Sequence, residues 1–123
     1  MITADFGVVP IGTKETDLGD YVSVAVQAIK DSGLSYELTG MGTQIEAKNL
    51  DELYEAVKTA QEAVFKVGAD RVFTVLKIDD RRDKDNRGLK DKVATVNEMI
   101  KWTCFFMFKN INILMFIISN NNI

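Results

Sequence analysis

Over its first 100 positions the chain switches the spacing of its apolar residues between two and three-to-four in a set order. That order constrains the fold more than any single residue does. Ile2, Ala4, Phe6 and Val8 alternate with Thr3, Asp5, Gly7 and Val9, which predicts a strand closed by Pro10 and Gly12. Leu18, Tyr21, Val22, Ala25, Ala28 and Ile29 then recur at helical steps, with Thr16 or Asp17 as the cap and Gly33 at the C-terminal end. Two short β-rich runs, at 34–39 and 43–47, flank Gly40-Met41-Gly42 and read as an antiparallel hairpin. Asn49 and Glu52 resemble a capping box ahead of a second helical stripe, Leu50, Leu53, Val57, Ala60, Val64 and Val67, which stops at Gly68. Positions 71–79 alternate again, with Val72, Thr74, Leu76 and Ile78 on one face and Phe73, Val75, Lys77 and Asp79 on the other. After a charged turn, Leu89, Val93, Val96 and Ile100 mark a third helix.

The predicted order is β-α-β-β-α-β with an added C-terminal helix. This is an α+β chain of the ferredoxin-like arrangement, in which two helices cover one face of a four-stranded antiparallel sheet. The uncovered face would carry Val9, Phe73, Val75, Lys77 and Asp79, a mixture that suits a ligand or a second copy. A homodimer or homotetramer is the expected assembly, since closed cyclic and dihedral forms dominate among oligomers.

Composition acts mainly by exclusion. A length of 123 residues accommodates one core. The chain contains no histidine, which removes Ser-His-Asp and Cys-His catalysis and the common zinc sites. A net charge of −3 offers no basic surface for phosphates, so nucleic acid is not an expected partner. No phosphate-binding glycine loop, nucleophile elbow or calcium loop occurs, so neither a cofactor nor a metal is expected. Cys104, the one cysteine, cannot form an internal disulfide, and the first ten residues lack the pattern of a secretory signal. A cytoplasmic chain beginning at Met1 is the expectation.

Composition changes near residue 101. All 18 acidic residues precede it, whereas KWTCFFMFKNINILMFIISNNNI holds four of the seven Phe, five of the eight Asn, and two Lys as its only charges. We therefore separate a domain at 1–100 from an atypical hydrophobic tail at 101–123. A membrane segment, a partner-binding segment and a readthrough or frame-shifted extension are the three readings of the tail. Lys109, Asn110 and Asn112 interrupt it, leaving it short of the roughly 20 apolar residues a spanning helix needs, which argues against the membrane. The Phe, Met, Asn, Ile and Lys content matches unselected translation of AT-rich DNA and favours the extension.

Three segments carry a family resemblance: MITADFGVVPIGT, the hairpin YELTGMGTQIEA and the run DRVFTVLKIDDRRDKDNRGLKDKV. Taken together, GMGT followed by IE, and KIDDR followed by RGLKDKV, resemble the small thiamine-binding protein family of YkoF-like type over about 100 residues. The tail departs from that pattern. The resemblance implies a ferredoxin-like subunit, assembled as a dimer or tetramer, that binds thiamine or its hydroxymethylpyrimidine part without catalysis.

Thiamine joins an aminopyrimidine to a cationic thiazolium, so a fitting pocket needs a carboxylate, hydroxyls or amides, and flat apolar walls. Glu46, with Thr39 and Thr43 flanking the glycine loop, is the candidate cluster at one end of the hairpin; Glu46 equally suits a solvated strand position. Met41 and Gly42 are candidates for close contact with a ring, or for a plain turn whose Met fills a subunit interface. Thr16 is a candidate donor or an ordinary cap. Lys77 and Asp79 border the open face, where Asp79 would favour a thiazolium and Lys77 would pair with Glu46 or lock subunits together. Two other readings stand beside a binding protein: an enzyme or accessory subunit working through Glu46 and Asp79, and a purely structural oligomer.

Overall fold

The computed structural model describes residues 1–84 and 86–120, and of residues 113–117 and 120 the backbone alone. Asp85, within the charged turn, and positions 121–123 of the tail lie outside the described residues. Seven elements follow in order: β1 (Ile2–Pro10), α1 (Gly19–Asp31), β2 (Ser35–Leu38), β3 (Thr43–Ala47), α2 (Leu50–Lys66), β4 (Val72–Asp80) and α3 (Leu89–Asn120). The strands form one antiparallel sheet in the order β2-β3-β1-β4, so the expected ferredoxin-like α+β architecture is present.

Each strand alternates as its sequence dictates. Ile2, Ala4, Phe6 and Val8 of β1 are buried, as are Thr43, Ile45 and Ala47 of β3, and α1 and α2 lie over this face. Ile29 of α1, Ile45, and Leu53 and Val64 of α2 are fully enclosed there. Burying each such side chain contributes about 1.5–3 kcal/mol, so this layer is what holds the sheet and helices together. The Thr74 hydroxyl adds a polar tie, donating to Gln61 Oε1 of α2 at 2.7 Å.

The helix ends show which signals the backbone uses. The Asn49 side chain accepts from the Glu52 N–H at 2.9 Å, while Glu52 Oε2 accepts from Lys48 N–H, one residue before the reciprocal bond of a standard capping box. The start of α1 differs from expectation. Leu18 occupies the cap position without a side-chain bond, Asp17 Oδ1 accepts from Gly19 N–H at 3.0 Å, and Thr16 lies further out in the exposed loop. Gly33 and Gly68 close α1 and α2 with φ of +79° and +107°, angles that a side chain resists.

By internal contacts the chain divides into residues Met1–Leu89 and the remainder of α3. Helix α3 begins at Leu89 as expected and runs without a break through position 101, where composition changes.

Candidate ligand-binding site

The register fixes what the sheet presents on the face away from α1 and α2, which is covered at one end, where Thr3 is buried and the turn at Gly88 and Leu89 lies against Glu46. Across the strands one row reads Ser35, Glu46, Thr3, Asp79, and the next reads Glu37, Gln44, Asp5, Lys77. Beyond them Gly7 lies opposite Val75 and Val9 opposite Phe73. Val9, Phe73 and Val75 are exposed, so this face is apolar at one end and charged at the other.

Glu46 and Asp79 stand on either side of Thr3, about 9–10 Å apart at two strand spacings. The Glu46 carboxylate is already engaged: Oε1 accepts from the Leu89 backbone N–H at 2.7 Å. Lys77 sits opposite Asp5, in a different row from Glu46, and no ion pair joins Lys77 to Glu46. In the turn that follows, each guanidinium holds its carboxylate partner below the usual aspartate range, Arg82 acting on Asp80 and Arg81 on Asp83. These exposed pairs brace the described part of the turn, and neither lines the cavity beside the β2–β3 loop.

The other face holds a cavity of about 260 Å³, where the β2–β3 loop meets the start of α1. Phe6 and Val8 of β1 form its floor, Val22, Ala25 and Val26 of α1 one wall, and Leu18 and Leu38 close its sides. Thr39, Gly40, Met41, Gly42 and Thr43 line the rim. The loop is held in shape by Thr39, whose N–H and hydroxyl both donate to the Gly42 carbonyl, at 2.9 and 2.7 Å. Neither Gly40 nor Gly42 has a positive φ; Gly42 instead sits against β1, where an added Cβ would lie 3.0 Å from Asp5 Oδ1 and 3.2 Å from the Phe6 carbonyl. Met41 is 97% exposed at the mouth.

The expected cluster therefore splits. Thr39, Met41, Gly42 and Thr43 come together around the cavity, whereas Glu46, Lys77 and Asp79 occupy the opposite face, and Thr16 lines neither. Thr43 and Glu46 are an odd number of residues apart on one strand, so they cannot share a face. None of the apolar walls was singled out from sequence as a ligand contact: Phe6 and Val8 belong to the first strand, Leu18, Val22 and Ala25 to the helical stripe read as core, Leu38 to the hairpin run, and Val26 follows Val22 by one turn. Of the described residues lining the cavity, Thr39 and Thr43 are the only ones with polar side chains, and none is titratable. A hydroxyl that donates to a carbonyl still accepts, so Thr39 retains lone pairs for an amine.

A model of the thiamine-binding protein family matches residues 4–97. The chain belongs to that family. Among relatives of this chain, a UPF0045 protein of Methanothermobacter thermautotrophicus is 59% identical over 100 residues, covering 81% of this chain and 100% of that protein. The Bacillus subtilis UPF0045 protein YqgV is 34% identical over 105 residues, covering 82% and 99%. A solved Methanocaldococcus jannaschii protein superposes with a TM-score of 0.71 at 35% identity, over 79% of this chain and 96% of that one. A Thermotoga maritima structure, at 23% identity and a TM-score of 0.66 over 77% and 97%, shares the fold. No helix among the described residues is long and apolar enough to cross a membrane.

Proposed function

We propose that this member of the thiamine-binding family is a binding protein, not an enzyme, and that it takes the hydroxymethylpyrimidine ring of thiamine in the cavity beside the Thr39–Gly42 loop. The observation that carries this reading is the cavity itself: apolar walls, two hydroxyls at the rim and no titratable group to transfer a proton. Its volume of about 260 Å³ falls just under the roughly 300–1,000 Å³ of pockets for drug-sized ligands, which suits a single heterocycle better than the whole vitamin. The aminopyrimidine faces would lie on Val8, Val22 and Leu38, its amine would donate to Thr39 Oγ1, and a ring nitrogen would accept from the Thr43 hydroxyl. Because no carboxylate lines the space, the cationic thiazolium would remain at the mouth near Met41.

The binding domain on this reading is residues 1–100, with 101–123 outside it, and the apolar end of the open face, Val9, Phe73 and Val75, joins two copies of the chain. The family match supports the ligand class, as does the likeness of fold to the Thermotoga maritima protein, whose own proposed role is thiamine biosynthesis or salvage.

Calorimetry with thiamine and with hydroxymethylpyrimidine tests the reading. Saturable binding of both, lost in Thr43→Val and retained in Glu46→Gln, is the expected result. Binding lost in Glu46→Gln but kept in Thr43→Val would move the site to the open face. Sustained heat from turnover would favour an enzyme, and no binding of either compound a scaffold.

A further inference from the structure

The cavity beside the β2–β3 loop holds one polar group that the fold leaves unused. Thr43 is 4% exposed and lines the space, yet its hydroxyl makes no hydrogen bond within the described residues. Thr39, at the rim, already gives its proton to the Gly42 carbonyl. Buried hydroxyls normally have a partner, so Thr43 marks a place that a polar atom of a ligand completes. That single donor cannot satisfy a phosphate, whose three terminal oxygens carry a charge of about −1.5 to −2.

No lysine or arginine is among the described residues that line the cavity. A helix start could take their place, because its free N–H groups and dipole attract anions. Helix α1 starts beside the cavity, with Leu18 both closing its side and standing at the cap position. The chain's own carboxylates already fill that role. Asp17 Oδ1 accepts from the Gly19 N–H at 3.0 Å, and Asp20 lies in the first turn. Leu18 thus stands between two aspartates, with Glu15 further back and Lys14 as the one cation of segment 11–20.

Resting on the reading of this cavity as the pyrimidine site, we propose that Asp17 and Asp20 make it selective for the unphosphorylated ligand. Free hydroxymethylpyrimidine and thiamine bind, and their phosphate esters are turned away. Both aspartates are within two residues of Leu18, inside the screening length of about 8 Å at physiological salt, so their repulsion reaches an ester at the mouth. A phosphate seated there would also lose water without gaining donors. The same carboxylates attract a thiazolium, so thiamine gains where its ester loses.

Calorimetry on the full chain with hydroxymethylpyrimidine, thiamine and the phosphate monoester of each tests the proposal. Each ester is expected to bind at least about tenfold more weakly than its alcohol at low salt, with the gap narrowing as salt rises. Asp17→Asn/Asp20→Asn should narrow the gap by about threefold or more, and Asn at position 17 keeps an acceptor for the Gly19 N–H, so the helix start is preserved. An ester bound as tightly as its alcohol overturns the proposal and leaves the cavity as the pyrimidine site; loss of that ester in Lys14→Gln would name the cation that holds it. A gap untouched in the Asp17→Asn/Asp20→Asn protein overturns the role of the two aspartates. If neither alcohol binds, the reading of the cavity itself fails, and the selectivity falls with it.

Discussion

Glu46 Oε1 and the Leu89 backbone N–H are joined by a 2.7 Å hydrogen bond across 43 residues of sequence. The bond places a carboxylate at the first turn of α3, where unpaired N–H groups and the positive end of the helix dipole both favour it. Gly88 is required for the approach, since a Cβ there would lie 2.5 Å from the same oxygen. The IE of the hairpin and the RGL of the last turn, two of the sequence pieces that identify the family, are thus two halves of one contact.

Glu46→Ala should therefore cost about 1–2 kcal/mol in urea unfolding, as the loss of a helix cap does, with Glu46→Gln costing less because it keeps an acceptor. Gly88→Ala should destabilise the wild type and be much milder in the Glu46→Ala background. A double-mutant cycle checks this; additive effects would mean the two residues are independent.

Gly42→Ala is expected to destabilise for a different reason. The new methyl would press on Asp5 Oδ1 and on the Phe6 carbonyl, and the carbonyl belongs to the β1 ladder and cannot yield. Overpacking of this kind costs about 1–3 kcal/mol, measurable as a lower denaturation midpoint with unchanged slope. Gly40→Ala, which meets nothing within 4 Å, is the control and should be near neutral.

The strands were legible because one face of each packs against helices, which forces a period of two; the alternation of Val72 to Asp79 is the plainest case. The cavity was half legible. Nearness to the loop selected Thr39, Met41, Gly42 and Thr43, which line the cavity, but the same criterion attached Glu46, which strand parity sends to the other face. Val26 was passed over because an aliphatic residue one turn past a helical stripe looks like more core. The role of Glu46 was hidden for a deeper reason: no local pattern links residues 43 apart, and Gly88 resembles an ordinary turn glycine until a carboxylate is seen against it.

The turn after β4 carries a pH dependence with a definite sign. Hydrogen bonds from Arg82 and Arg81 hold Asp80 and Asp83 below their ordinary value of 3.8. Since the folded values are lower than the unfolded ones, each pair adds stability above pH 3.8 that fades as pH falls through the lowered folded values. Both pairs are at the surface, so the effect should be small and screened by salt. Thermal unfolding of the Arg81→Gln/Arg82→Gln variant should differ slightly from wild type at neutral pH and converge with it in acid. The difference should also vanish near about 1 M salt.

Val22→Phe separates the cavity from the fold. Val22 is half-buried on α1 and faces the 260 Å³ space, so a phenyl ring directed there occupies volume that the proposed pyrimidine ring would otherwise take. Filling an apolar void leaves stability roughly unchanged, within about 1 kcal/mol, because new contacts offset any crowding. Ligand affinity should nevertheless fall at least about tenfold, since a ring that loses its wall also loses the burial that holds it. Calorimetry with hydroxymethylpyrimidine alongside urea unfolding of the same sample measures both quantities. Undiminished affinity in a well-folded Val22→Phe protein would show that the ligand sits elsewhere. Parallel loss of affinity and stability would show that Val22 serves the core, and Thr43→Val would then carry the test of the site.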